Sequence, residues 1–152
     1  MSAAKDRLRL WLRLLKVTRA IEADLRDRLR AEFGTTLPRF DMLAALSRHP
    51  EGLKMSALSG VLRVSGGNVT GLADRLTAEG LAERIPVPGD RRAMMLRLTA
   101  EGQEEFARQA DQHESWIDEL LADLSAQEAR TLAARLSDLA QATEDREMAH
   151  AL

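Results

Sequence analysis

Between Leu53 and Thr99 the apolar residues change their period, and this change narrows the available folds more than anything else in the chain. "LKMSALSGVLRVS" reads as a short helix with Leu58, Val61 and Leu62 inward. "GGNVTGLADRLTAEG" reads as a second, with Val69, Leu72, Ala73 and Leu76 on one face and Gly80 at its end. Ser65 stands at the N-cap position of that second helix. Two extended pieces follow, "LAERIPV" and "AMMLRLT", joined by "PGDRR", which is the signature of a hairpin. Two short helices joined by a three- or four-residue turn form a helix-turn-helix, and the hairpin after it supplies a wing.

The flanks are helical. Leu10, Leu14, Val17, Ile21, Leu25, Leu29 and Phe33 recur every three or four residues, so residues from about 5 to 33 form one long helix stopped by Gly34. Leu8, Trp11, Leu12 and Leu15 widen its stripe. A second helix opens after "TTLP", with Thr36 as cap and Pro38 in the first turn, and ends at the "HPEG" turn, 49–52. Thr99 caps a helix carrying Phe106, Ala110, His113, Ile117, Leu120, Leu121 and Leu124. "SAQE" at 125–128 is a capping box opening the last helix, which carries Leu132, Leu136 and Leu139. The expected fold is mainly α with a small β-hairpin wing. Residues 35–99 form a winged helix-turn-helix, and residues 1–34 and 100–152 supply flanking helices. Their stripes are broader than one small winged helix can cover, which predicts that these helices dimerise.

Length and composition exclude several classes. A chain of 152 residues suits one domain. The absence of cysteine removes disulfides, thiolate metal sites and thiol redox switches. "MSAAKDRLRLWLRLLK" threads charge through its apolar residues, unlike a signal peptide, and no run approaches the ~20 apolar residues of a membrane span. A cytoplasmic protein without membrane contact is expected. No G-x-S-x-G or P-loop lysine is present, and His49, His113 and His150 lack metal-ligand spacing, so neither an enzyme nor a metal or cofactor is expected. The formal net charge of −2 hides an asymmetry. Residues 1–53 balance at +4 and residues 54–99 at +3, whereas residues 100–152 balance at −9. A basic front and an acidic rear suit an oriented electrostatic surface, although ordinary solvated helix faces are the plainer account.

These parts make chemical sense against double-stranded DNA. The second helix of the pair fits the major groove, and a hairpin tip bearing Arg91 and Arg92 suits the narrow, strongly negative minor groove. Asp90 is placed to hold Arg92 extended by a charge-assisted hydrogen bond. The outward face of the second helix carries Gly67, Thr70, Gly71 and Asp74. Gly71 sits mid-helix, where glycine costs about 0.5–1 kcal/mol relative to alanine, and either admits close approach of DNA or lets the two helices pack closely. Ser65, Asn68 and Thr70 are then the specific contacts, and Arg75 serves phosphate or packing between parts of the chain. The plainer readings are a polar turn at "GDRR" and a winged helix that binds proteins rather than DNA.

The stretch "VSGGNVTGLADRLTAEGLAERIPVPGDRRAMMLRLTAEG" resembles the core of the MarR family of bacterial transcriptional regulators. Asp74-Arg75-Leu76, Gly80-Leu81, Glu83-Arg84, Asp90-Arg91-Arg92 and Leu98-Thr99-Ala100-Glu101-Gly102 fall in register with the family's D-R-L, G-L, E-R, D-x-R and L-T-x-x-G. The resemblance implies a homodimer whose terminal helices interlock on a pseudo-palindromic operator, usually as a repressor released by a small ligand. Three departures stand out: Gly71 replaces an arginine often seen there, Lys54 stands where Ser or Thr commonly caps, and the missing cysteine excludes the thiol-oxidation branch. The resemblance also places an effector cleft near the first, second and fifth helices, where Trp11, Arg13, Arg39, Phe40 and Asp41 are the candidates. "FGTTLPRFDMLAAL" and "GGNVTGL" look like segments of regulators of aromatic-acid catabolism, which implies a phenolic acid or its CoA thioester as effector. Against this stands the simpler reading that Trp11 is core and Arg39 pairs with Asp41 or with a neighbouring helix.

Overall fold

The computed structural model describes residues 2–62 and 66–151, which divide into two compact units, the first ending at Trp116 and the second beginning at Ile117. In the first unit, α1 (Ala3–Phe33) starts where Ser2 Oγ accepts from the Lys5 amide and stops at Gly34, which takes φ +62° and donates its N–H to Arg30 O. Thr36 accepts from the Arg39 amide to cap α2 (Leu37–Ser47). The remaining elements are β1 (Leu53–Lys54), α3 (Met55–Leu62), α4 (Gly66–Ala78), β2 (Ala82–Val87), β3 (Asp90–Leu98), α5 (Ala100–Leu120) and α6 (Ala126–Ala151).

The sheet has three strands, not two. β1 adds to the free edge of the hairpin in the order β1-β3-β2, pairing Leu53 with Leu96 and Lys54 with Met95. Lys54 is thus a strand residue at the mouth of α3. Around this sheet the core gathers Met42, Leu43 and Leu46 from α2, Leu58 from α3, Val69, Ala73 and Leu76 from α4, and Leu96 and Leu98 from β3. Leu58 is fully buried, but Val61, expected inward, is 54% exposed. Helix geometry explains this: at 100° per residue Met55, Leu58 and Leu62 fall within about 60°, and Val61 lies about 60° further round. Leu72 is only half-buried.

α5 is anchored at its first turn. Thr99 Oγ1 accepts from the Gly102 amide at 3.0 Å and donates to Gly80 O at 2.6 Å, while the Thr99 amide donates to Leu81 O. A side chain at Gly102 would place its Cβ 1.8 Å from that same Leu81 oxygen, so only glycine lets the helix approach the turn. The expected run to Leu124 is broken, because α5 ends at Leu120, Leu121–Asp123 form a turn and the chain bends at Leu124. In the second unit Ser125 Oγ accepts from the Glu128 amide to open α6.

The terminal stripes are unevenly covered. On α1, Leu25 and Leu29 are buried, whereas Leu8, Leu10, Trp11, Leu12 and Val17 stay about half-exposed. No described residue of α6 is buried, and Leu132, Leu136 and Leu139 are all exposed. No helix among the described residues is long and apolar enough to cross a membrane.

Candidate nucleic-acid interface and ligand cleft

α4 buries Val69, Ala73 and Leu76 and turns Asn68, Thr70, Gly71, Asp74 and Arg75 outward. Gly67 lies in the first turn of the helix, and Ser65 lies outside the described residues. A Cβ added at Gly71 would meet nothing within 4 Å, so the glycine does not serve close helix packing; its open face is the feature to explain. Asp74, expected on the outward face, forms an ion pair with Arg84 of β2. Glu83, beside it on β2, pairs with Arg97 directly across the ladder at 2.6 Å. Two ion pairs therefore tie the outward helix to the hairpin and stiffen the hairpin itself.

The wing arginines do not sit at the apex. The tip is the Pro88-Gly89 turn, with Gly89 at φ +80°, and Arg91 and Arg92 follow on β3. Register explains their placement. Val87 opposes Asp90 and Pro86 opposes Met94, so Arg91, Arg92 and Ala93 bulge out with no residue opposite. Pro86 has no N–H to offer the ladder at that point. Asp90 Oδ1 accepts from the backbone amide of Arg92 at 3.0 Å, a turn-forming contact rather than the guanidinium contact expected. Both arginines are exposed, and neither they nor Arg75 forms an ion pair among the described residues. Among the described residues the interface therefore carries three available guanidinium groups, those of Arg75, Arg91 and Arg92.

Of the expected effector residues, Arg39 lines two clefts. One, of about 510 Å³, lies between the start of α2 and the outward helix, walled by Thr36, Pro38, Arg39, Asn68, Gly71 and Arg75. The other, of about 330 Å³, is walled by Phe33, Thr35, Arg39, Glu79, Glu105 and Gln109 among others. Arg39 pairs with Glu79 at the end of α4, not with Asp41. Phe40 belongs to the interior, its ring stacked 4.6 Å from His113 and 5.7 Å from Phe106. Asp41 lines a small cleft of about 50 Å³ with Pro38, Leu62 and Leu72. Its carboxyl is raised by burial and by the charge of Glu22, against the opposing pull of Arg48. Trp11 and Arg13 are exposed on α1 and line none of these three clefts.

Sequence reasoning missed Glu79, Glu105 and Gln109. The available signal was Gln109, a polar residue three positions after Phe106 and four before His113, on the inward stripe of α5. Glu105 accepts from Gln109 and Arg108, and these contacts hold its carboxyl below the usual range, the Gln109 hydrogen bond counting most.

A model of the MarR family matches residues 33–93, from the end of α1 through the wing. The regulator PecS of Dickeya dadantii is 30% identical over 112 residues, covering 72% of this chain and 68% of PecS. The structure of a MarR family transcriptional regulator from Silicibacter pomeroyi superposes with a TM-score of 0.76 at 32% identity, covering 94% of this chain and 99% of that one. A cysteine-to-serine variant of MarR from E. coli, solved in complex with operator DNA, matches with a TM-score of 0.72 at 25% identity over 91% of this chain and 99% of its own. These relatives are regulators and not enzymes, and the motifs of the family are the ones that here cap α5, tie α4 to β2 and shape the wing. The chain belongs to the MarR family of transcriptional regulators.

Proposed function

We propose that this protein is a homodimeric repressor that binds a pseudo-palindromic operator in double-stranded DNA and is released by a small ligand. The observation that carries the reading is the joint placement of an open helix face at Asn68, Thr70, Gly71 and Arg75 and two exposed guanidinium groups at Arg91 and Arg92. The related MarR protein solved with operator DNA supports it. Ser65 and Gly67 extend the proposed DNA contacts to the start of α4, and Asp90 shapes the wing by holding the Arg92 backbone. With Gly71 offering bare backbone, few side chains read bases, and DNA shape contributes part of the specificity.

Dimerisation through α1 with α5 and α6 covers the half-exposed leucines of α1 and the exposed stripe of α6. Each such side chain contributes at about 25 cal/mol per Å² of apolar area removed from water. The two recognition helices would then stand about 34 Å apart, one helical turn of DNA. An aromatic acid or aryl-CoA effector of the kind the resemblance implies would need a free cation, and Arg39 is engaged by Glu79.

The test is anisotropy titration of DNA from upstream of the protein's own gene, across a salt series, with a footprint to locate the site. An Arg91→Ala/Arg92→Ala variant should bind more weakly, and its log Kd against log salt should flatten by about 4, near 0.9 for each of the phosphates left without an arginine by the two protomers. Equal affinity and slope in the folded variant would refute the interface.

A further inference from the structure

Strand register carries a methionine to the side of the wing that turns towards the recognition helix. Residues paired across an antiparallel ladder share a face of the sheet, and the face repeats every second residue. Arg84 and Leu96 form one such pair, and Pro86 and Met94, two residues further out, share their face. Leu96 is fully buried in the core, and Arg84 reaches Asp74 on the outward face of α4. The Pro86–Met94 rung therefore lies beyond that ion pair and directly below the bulge that carries Arg91 and Arg92.

Met94 is also the thioether that a diffusing oxidant reaches most easily in this part of the chain. It is 38% exposed, whereas Met42 is fully buried and Met55 and Met95 are half-buried. Met95 points to the opposite face, where its Cε lies 3.4 Å from the place a Cβ on Gly52 would take. The chain has no cysteine, so no thiol of its own consumes the oxidant first. Met148 is more open still, but it stands near the end of α6 and provides an internal comparison.

Oxidation changes what this face of the wing can touch. A thioether is soft and apolar and packs against sugar and base surfaces, whereas a sulfoxide is polar and carries a strong acceptor oxygen. Phosphate and deoxyribose offer that oxygen only further acceptors. The nearest donors in the chain are the guanidinium groups of Arg92 and Arg91, two and three residues before it. A sulfoxide that takes one of them withdraws a phosphate contact, and one that takes neither is desolvated unpaired. Both outcomes weaken DNA binding.

We propose that Met94 is an oxidation site through which hypochlorous acid lowers the affinity of this protein for DNA. The inference rests on the DNA-binding reading above for its regulatory meaning. In the step an S–O bond forms and the O–Cl bond breaks. Sulfur gives up two electrons, chlorine leaves as chloride, and the proton of the oxidant passes to water. Methionine sulfoxide reductases, one for each sulfoxide epimer, reverse the change.

The test treats the full chain with a few equivalents of hypochlorous acid and locates the added oxygen by peptide mass spectrometry. Affinity for the upstream DNA is measured by anisotropy before and after treatment, with circular dichroism on each sample. Met94 should be oxidised ahead of Met42, Met55 and Met95. The treated parent should lose about tenfold in affinity while staying folded, and should regain it with the two reductases. Met94→Leu, compared with its own untreated sample, should lose none. Met94→Gln should bind like the treated parent without any treatment, and Met148→Leu should respond as the parent does. The proposal is overturned if Met42, Met55 or Met95 is oxidised first, or if protein fully oxidised at Met94 keeps its affinity. It is equally overturned if Met94→Leu loses affinity on treatment as the parent does, or if the loss accompanies unfolding. An untreated parent that leaves the DNA unbound refutes the DNA-binding reading and this proposal with it, whereas binding that survives oxidation refutes the proposal alone.

Discussion

Replacing Gly102 by alanine tests the packing logic most severely, because helix propensity alone predicts the opposite result. Alanine in a helix is favoured over glycine by up to about 1 kcal/mol. At this position, however, the new Cβ would lie 1.8 Å from Leu81 O and 2.8 Å from Leu81 C, both backbone atoms that no side-chain rotation can move aside. The helix must retreat by about 1 Å or more, and overpacking of that order costs about 1–3 kcal/mol. The retreat also stretches the Thr99 amide bond to Leu81 O at 3.1 Å and the Thr99 hydroxyl bond to Gly80 O at 2.6 Å, each contributing about 1 kcal/mol. After the propensity gain is subtracted, the net destabilisation is about 3 kcal/mol. For a chain of this size that lowers Tm by roughly 6–12 °C. The assay is thermal and urea unfolding followed by circular dichroism at fixed protomer concentration, with Gly71→Ala as the matched control. Gly71 has nothing within 4 Å of its missing Cβ, so that variant should gain up to about 1 kcal/mol. Equal shifts for the two variants, or a stabilised Gly102→Ala, would refute the reasoning.

A Leu10→Glu/Leu132→Glu variant should remain helical by circular dichroism and run as a monomer by light scattering, since both leucines are exposed at about half in the single chain. His113, stacked on Phe40, has its pKa lowered from 6.5 by burial. The unfolded chain therefore binds a proton that the folded chain resists, and stability should fall as pH drops from 6.5 towards the folded-state pKa. Urea midpoints measured across that range should show the fall in the parent and lose it in His113→Gln. The Asp41 carboxyl is raised from 3.8, so its charge costs stability at neutral pH, and Asp41→Asn should unfold at higher urea at about pH 7, with the gain shrinking towards about pH 4.

The local signals in the chain were readable because each rests on neighbouring residues. Gly34 ends α1, Thr36 and Thr99 cap their helices, and Val69, Ala73 and Leu76 point inward, all from spacing and turn chemistry alone. What escaped depends on distant partners. Two residues, Leu53 and Lys54, are too few for any period and become a strand only because β3 offers an edge. The wing arginines moved from the apex to a bulge because the Pro86–Met94 pairing, invisible in the local pattern, sets the register. For the cleft, Arg39 is pointed to only by the family resemblance. Its partner Glu79 lies 40 residues away, and Glu105 and Gln109 lie further still. The L-T-x-x-G motif is legible as a resemblance, but its cause, the approach of Gly102 to Leu81, is set by the fold.

The bulge at Arg91–Ala93 also separates two parts of the wing that could otherwise constrain one another. Below it, Ala82 to Pro86 and Met94 to Leu98 keep the alternation that sends Leu96 and Leu98 into the core. Within it, three residues have no opposite number, so adding or removing one changes the reach of the finger while Leu96 and Leu98 stay where they are. The wing can therefore be re-tailored to a different groove width by insertion or deletion, and the hydrophobic interior carries no record of the change.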